Sequence, residues 1–311
     1  MPGKFKPRQL NSDFILALKS GSLSSILEIV HKDPTLDLNI RNNYINIYYR
    51  GGNILKITLD KARGYLFHFD KKYCIDSKST SSSILVSLCT KGDWYQYFPL
   101  AKQVMDFYLK EHPKEEREYA QLVVRDNNYS KVSNSTDYFI IDYEFDNHRR
   151  ARFDLVTVEW TSGASMRKSP NKFKPKLVVM EMKYGDGALK GTAGMVKHVD
   201  DFLAFLGRPG DVSSFRKEMV TLFKQKRELG LIRFGKKGNP NAIEEFDENI
   251  DLVFLLANHD PDKSVLNEMI CDIQKRYPGF NVKAITASYL GYGLYKDNLI
   301  VLTCEEQVNP E

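Results

Sequence analysis

Glu181 and Lys183 stand two apart in an otherwise apolar run, Lys-Leu-Val-Val-Met-Glu-Met-Lys-Tyr, that ends at Tyr184. Side chains alternate along a strand, so Leu177, Val179, Glu181 and Lys183 fall on one face. Val178, Met180, Met182 and Tyr184 fall on the other. Burying a charge is costly unless it is paired or bound to metal. The run before it holds a second acid among apolar residues, since Asp154 shares a face with Val156, Val158 and Trp160. If the two runs are neighbouring strands, Asp154 comes beside Glu181 and Lys183. Two close carboxylates repel unless a cation lies between them. Mg²⁺, or Mn²⁺ in its place, is such a cation, and it leaves positions for water and phosphate oxygens. With a lysine beside it, this is the chemistry of phosphodiester hydrolysis: a Lewis acid, an activated water and positive charge near the scissile group.

The elements that would position these residues can be read from periodicity. Residues 13–31 read as one or two short helices, stopped at Asp33-Pro34. Residues 44–60 read as a hairpin turning at Arg50-Gly51-Gly52-Asn53, with another alternating strand over 64–70. The low-complexity stretch 76–83 reads as a linker. Helices are predicted over 98–112 and 114–127, the second with acids in its first turn. Strands are predicted over 137–147 and 152–160, joined by the basic turn His148-Arg149-Arg150-Ala151. The run holding Glu181 is the third strand. Residues 191–207 read as an amphipathic helix, with Met195, Val199, Phe202 and Leu206 on one stripe and Thr192 as N-cap. An apolar strand (249–258), a helix (264–277) and two closing strands (280–290 and 298–306) follow. This order predicts an α/β fold with a mixed central sheet flanked by helices. The expected division is an N-terminal α+β extension over 1–90 and a core over 91–311, with one compact domain as the other reading.

An acid near a strand start, then Glu-x-Lys on the next strand, then a helix, resembles the PD-(D/E)xK phosphodiesterase superfamily, the restriction-endonuclease-like fold. Asp154 stands at its first acidic position and Glu181-Met182-Lys183 at its E-x-K. The resemblance implies a Mg²⁺-dependent nuclease acting on DNA, with RNA the lesser expectation. It implies metal ligation by Asp154, Glu181 and the Met182 carbonyl, with Lys183 acting on water or phosphate. Its helix before the first strand often carries a further glutamate, and Glu118 is the residue expected there. The resemblance covers residues 114–260. Phe153 replaces the eponymous proline, and His198 and Phe202 stand where one subgroup has Gln and Tyr.

Competing readings exist for each residue. Glu181 and Lys183 could form an ion pair at a sheet edge, which is worth little. Asp142 and Glu144 could be the acids instead, although they alternate with Phe139, Ile141, Tyr143 and Phe145 as a half-exposed strand does. Glu118 could be a solvated acid favoured by the helix dipole, His198 a helix-surface or satisfied core histidine, and Arg50 a turn residue. The glycine-rich 184–194 lacks the Lys-Ser/Thr ending of a phosphate loop. The functional alternative is a non-catalytic nucleic-acid-binding or regulatory protein that keeps the fold.

Composition narrows the setting. At 42% hydrophobic and 27% charged residues, the chain falls in the ordinary soluble class, and its apolar runs are too short to span a bilayer. No secretion signal opens the chain, so the cytoplasm is the expected compartment. Cys74, Cys89, Cys271 and Cys304 lack metal-ligand spacing and read as reduced. The net charge is +5. Residues 208–237 concentrate it with nine basic and three acidic residues, so this segment suits a polyanion. There, residues 214–229 are expected to form a helix with Phe215, Met219, Leu222 and Phe223 inward. Lys217, Lys224 and Arg227, with Arg149 and Arg150 of the turn, are the expected phosphate contacts.

Overall fold

The computed structural model describes residues 7–74, 80–129, 135–146, 152–161, 170–232, 242–259, 265–286, 294, 296 and 299–304. Two helices, α1 (Ser12–Ser20) and α2 (Ser24–Lys32), lead into a four-stranded antiparallel meander. Its strands are β1 (Asp37–Ile40), β2 (Tyr44–Tyr49), β3 (Gly52–Asp60) and β4 (Gly64–His68). The β2–β3 turn takes left-handed φ at Arg50 (47°) and Gly51 (75°), the conformation that tight hairpins need. β1 was not among the expected strands, although Leu38 and Ile40 alternate with Asp37 and Asn39 as a strand requires. Helices α3 (Thr80–Lys91) and α4 (Trp94–Glu111) follow. The second half of the serine-rich stretch is therefore helix rather than linker, because Leu85 and Leu88 are drawn into the core. Its first residues lie outside the described set.

Helix α5 (Glu115–Asn128) precedes a six-stranded mixed sheet of order β10-β9-β8-β7-β6-β5. Its strands are β5 (Tyr138–Asp146), β6 (Arg152–Glu159), β7 (Lys176–Tyr184), β8 (Ile250–Ala257), β9 (Val282–Thr286) and β10 (Ile300–Leu302). β5, β6 and β7 pair antiparallel, whereas β7, β8 and β9 run parallel. Helices α6 (Met195–Leu206) and α7 (Pro209–Glu228) cover one face, where Leu177 and Val179 join Val199, Phe202, Phe205, Phe215 and Phe223. α5 covers the other, where Val178, Met180 and Met182 meet Ala120, Val123 and Val124. The α/β class with a mixed sheet between helices is thus as expected. α6 starts on Gly194, with no side-chain cap from Thr192.

Packing does not part at residue 90. One apolar cluster runs from Phe14 and Ile57 through Tyr97 to Phe139 and Phe223. α4 lies on β3, and Tyr97 Oη donates to the Ile54 carbonyl at 2.7 Å. Helix α8 (Val265–Arg276) packs near the β10 edge, and there the expectation for the cysteines fails, because Cys271 and Cys304 are disulfide-bonded. They lie 33 residues apart, so only the docking of β10 brings them together. Cys74 and Cys89 are free. No single helix among the described residues is long and apolar enough to cross a membrane.

Candidate active site

The β6–β7 ladder runs from Glu159↔Lys176 to Leu155↔Met180 and stops there. On its other side β7 stays paired with β8 as far as Tyr184↔Ala257. Beyond Met180 the β6 side of β7 is therefore open. Asp154 fills the opening, its Oδ2 accepting the Met182 amide at 2.9 Å. A carboxylate takes the place of the missing ladder acceptor, and this brings Asp154 to the face that carries Glu181 and Lys183.

Glu181 is 2% exposed and Lys183 3%. β7 lies inside the sheet, so neither residue belongs to an edge ion pair. Burial pushes the Glu181 carboxyl well above the usual range; the Asp154 charge and a hydrogen bond with Asp154 push it the same way, against Lys183. Glu181 Oε1 is buried and has no donor facing it. Lys183 Nζ donates to the Ala193 carbonyl at 3.0 Å and lies 3.1 Å from His198 Nε2. The close turn at Gly194 sets that carbonyl in place, since a Cβ there would come within 2.6 Å of Leu189 O.

His198 is at the site rather than on the surface. Burial and then the Lys183 charge push it down to about 4. The neutral ring accepts from Lys183 through Nε2 when Nδ1 carries its proton, and Nδ1 faces Glu181 Oε2 at 3.3 Å. Phe202, one turn on, is core and contacts Phe280. Phe153, at the proline position, packs against Phe145, Phe205 and Phe215.

The helix glutamate brought to the site is Glu116, not Glu118. Glu116 Oε1 lies 3.8 Å from Lys183 Nζ. Burial raises its pKa, Asp154 adds to this, and Lys183 and the Tyr184 amide oppose it. Glu118 turns away to Arg50, accepting from Nε at 2.6 Å and from Nη2 at 3.1 Å. The signal was periodicity: Glu116 stands four before Ala120 and seven before Val123, on the buried stripe. Glu144 adds a fourth acid at the rim. Burial raises its carboxyl, Arg117 at 3.2 Å opposes this, and Asp154 adds to it. Asp142 is elsewhere. A register shift between Ile140 and Asp142 and the left-handed φ of Glu144 (53°) break the alternation that would have put them on one face.

The basic segment is largely spent on the fold. α7 spans the expected helix, with Phe215, Met219, Leu222 and Phe223 buried on the sheet face that carries Asp154 and Glu181. Lys217 is exposed, Lys224 pairs with Glu244 at 2.5 Å, and Arg227 is half-buried. Lys226 is buried and donates to Asn39. Arg208 pairs with Asp211, and Arg216 donates to the Phe246 carbonyl. Arg149 and Arg150, like Arg233, Lys236 and Lys237, lie outside the described residues.

A buried carboxylate oxygen without a donor, beside a second carboxylate, fits a divalent cation. Asp154 and Glu181 would hold it, with the Met182 carbonyl at hand. Among the described residues no group of three or more His, Cys, Asp or Glu is arranged to hold a metal ion. Mg²⁺ takes one or two carboxylates and keeps water and phosphate oxygens for the rest.

Comparison with known proteins gives no match: no family model, no curated protein and no solved structure is similar to this chain.

Proposed function

We propose that this protein is a metal-dependent nuclease with a restriction-endonuclease-like core, hydrolysing phosphodiester bonds in DNA, with RNA the lesser expectation. The observation that carries this reading is the buried Glu181 beside the half-buried Asp154 and the buried Lys183, at the point where β6 and β7 part. Bound there, Mg²⁺ or Mn²⁺ would supply Lewis acidity to a phosphate oxygen and a more acidic water. Asp154 fixes the first carboxylate through the Met182 amide, and Glu181 supplies the second. Lys183, anchored by Ala193 O and His198 Nε2, keeps its third donor for the attacking water or a phosphate oxygen. His198 orients Lys183 and Glu181 together, since its two ring nitrogens face one each. Glu116 approaches the same lysine from the far side. Lys217 remains as an exposed phosphate contact on α7.

The test uses the purified chain with single- and double-stranded DNA and with RNA, in Mg²⁺, in Mn²⁺ and in chelator. Cleavage that needs metal and is lost in Asp154→Asn, Glu181→Gln and Lys183→Met supports the reading. Asp154→Asn keeps an acceptor for the Met182 amide, so loss there reports on charge rather than on the fold. Cleavage that persists in all three variants, or in chelator, refutes it. Metal-independent DNA binding without cleavage under any condition assigns the protein to the non-catalytic alternative.

A further inference from the structure

The β2–β3 turn of the N-terminal sheet packs against α5, the helix that carries Glu116. Arg50 there spans two helices: it donates to Glu118 of α5 through Nε and Nη2, and to Asp106 of α4 through Nη1 at 2.8 Å. The Gly51 amide donates to Gln121 Oε1 at 2.6 Å. Gln121 in turn donates to the Thr35 and Tyr48 carbonyls. A Cβ on Gly51 would lie 2.5 Å from Arg117 Cβ, so the turn sits directly on the helix backbone. On the other flank Arg117 reaches Glu144, and its carbonyl accepts from Tyr143 Oη at 3.1 Å. The contacts therefore fall on residues 117, 118 and 121, immediately after Glu116. α5 also lacks a side-chain cap of its own, so its first turn depends on outside contacts.

We infer that the Arg50–Gly51 turn is a positioning element for Glu116, clamping the first turn of α5 so that this carboxylate is held at Lys183 and the metal position. The inference rests on the metal-site reading above and gives the N-terminal sheet a part in the site. Arg50 makes a forked contact that a lysine cannot reproduce. Glu118 belongs to the clamp rather than to the chemistry.

Mn²⁺ binding to the full chain, followed by electron paramagnetic resonance without nucleic acid, tests it. Arg50→Ala and Glu116→Ala are each expected to weaken Mn²⁺ binding by about tenfold, the range for groups behind metal ligands. Their double variant should bind no more weakly than Glu116→Ala alone, because both remove the same carboxylate from the site. Arg50→Lys should recover only part of the loss. Losses that multiply in the double variant, or wild-type affinity in Arg50→Ala, overturn the inference. If Arg50→Ala does not fold, Glu118→Gln is expected to give a smaller loss, again absent when Glu116 is already alanine; a loss that persists there refutes the clamp. Wild-type protein that binds no Mn²⁺ defeats the metal reading and the clamp together. Binding that is lost in Asp154→Asn but unchanged in Arg50→Ala defeats the clamp alone.

Discussion

Among the described residues, one cluster of charge buried at the junction of the two sheets can be set against the partly open cluster around Lys183, and their difference separates scaffold from candidate site. In the first, where β1 meets β5 and α7, three cations face three anions. Arg41 meets Asp142 at 2.6 Å, Arg8 stands 3.3 Å from the same carboxylate, and the Arg8 amide donates to Glu218 at 2.7 Å. Lys226 reaches Asn39, whose amide binds Asp37. Burial alone would lower Arg41, yet Asp142 and Tyr48 raise it. In the second cluster Glu116, Glu144, Asp154 and Glu181 face Lys183 and Arg117, with His198 neutral. Balanced charge explains itself as a fastening between the two sheets. Surplus negative charge around the buried Glu181 is not balanced in this way, and it is this surplus that the proposed cation would offset.

The largest effect that can break this contrast is on the balanced side. Asp142→Ala leaves two buried arginines without the carboxylate they share and should cost about 3–5 kcal/mol in urea unfolding. A cost no larger than that of a surface substitution would remove the structural half of the comparison. On the surplus side Lys183→Met should lower DNA cleavage about 10²–10³-fold, as loss of one preorganised donor does, with the circular dichroism of the wild type. A loss explained by unfolding would merge the two clusters into one kind.

The pH dependence sharpens the contrast next. The Glu181 carboxyl is raised in the folded, metal-free protein, so the folded state holds a proton that the unfolded chain releases near the ordinary carboxyl value. Its stabilising effect is complete below that value and is lost as pH rises toward the folded one. Glu181→Gln should therefore raise metal-free stability at neutral pH by on the order of 1 kcal/mol and flatten this dependence. Thermal melts across pH, with and without Mg²⁺, measure it. No gain at neutral pH would mean that the buried acid is already compensated. The smallest effect belongs to Lys217→Glu, which should lower the salt slope of DNA binding by about one unit. An unchanged slope would place the nucleic-acid path away from α7.

Much of the site was legible because a strand imposes a two-residue period. Glu181, Lys183 and Asp154 could be placed on one face from sequence alone, and the antiparallel pairing of β6 with β7 completed the prediction. Glu118 was misplaced because three acids crowd the first turn of α5, and only the buried stripe of Ala120 and Val123 tells them apart. Nothing local to α7 marks Lys226 as buried, because its partners, Asn39 and Asp37, lie nearly two hundred residues away.

The sequence by itself determined most of the elements and their faces, since periodicity and turn chemistry are local. Tertiary structure decided the rest. It alone brought Cys271 to Cys304, turned His198 inward to Lys183, and set the Arg50 turn against α5. It alone also divided the buried charges into a balanced cluster and a surplus one. Those outcomes depend on which distant surfaces meet, and the cost of burying a charge is fixed only when its final neighbours are in place.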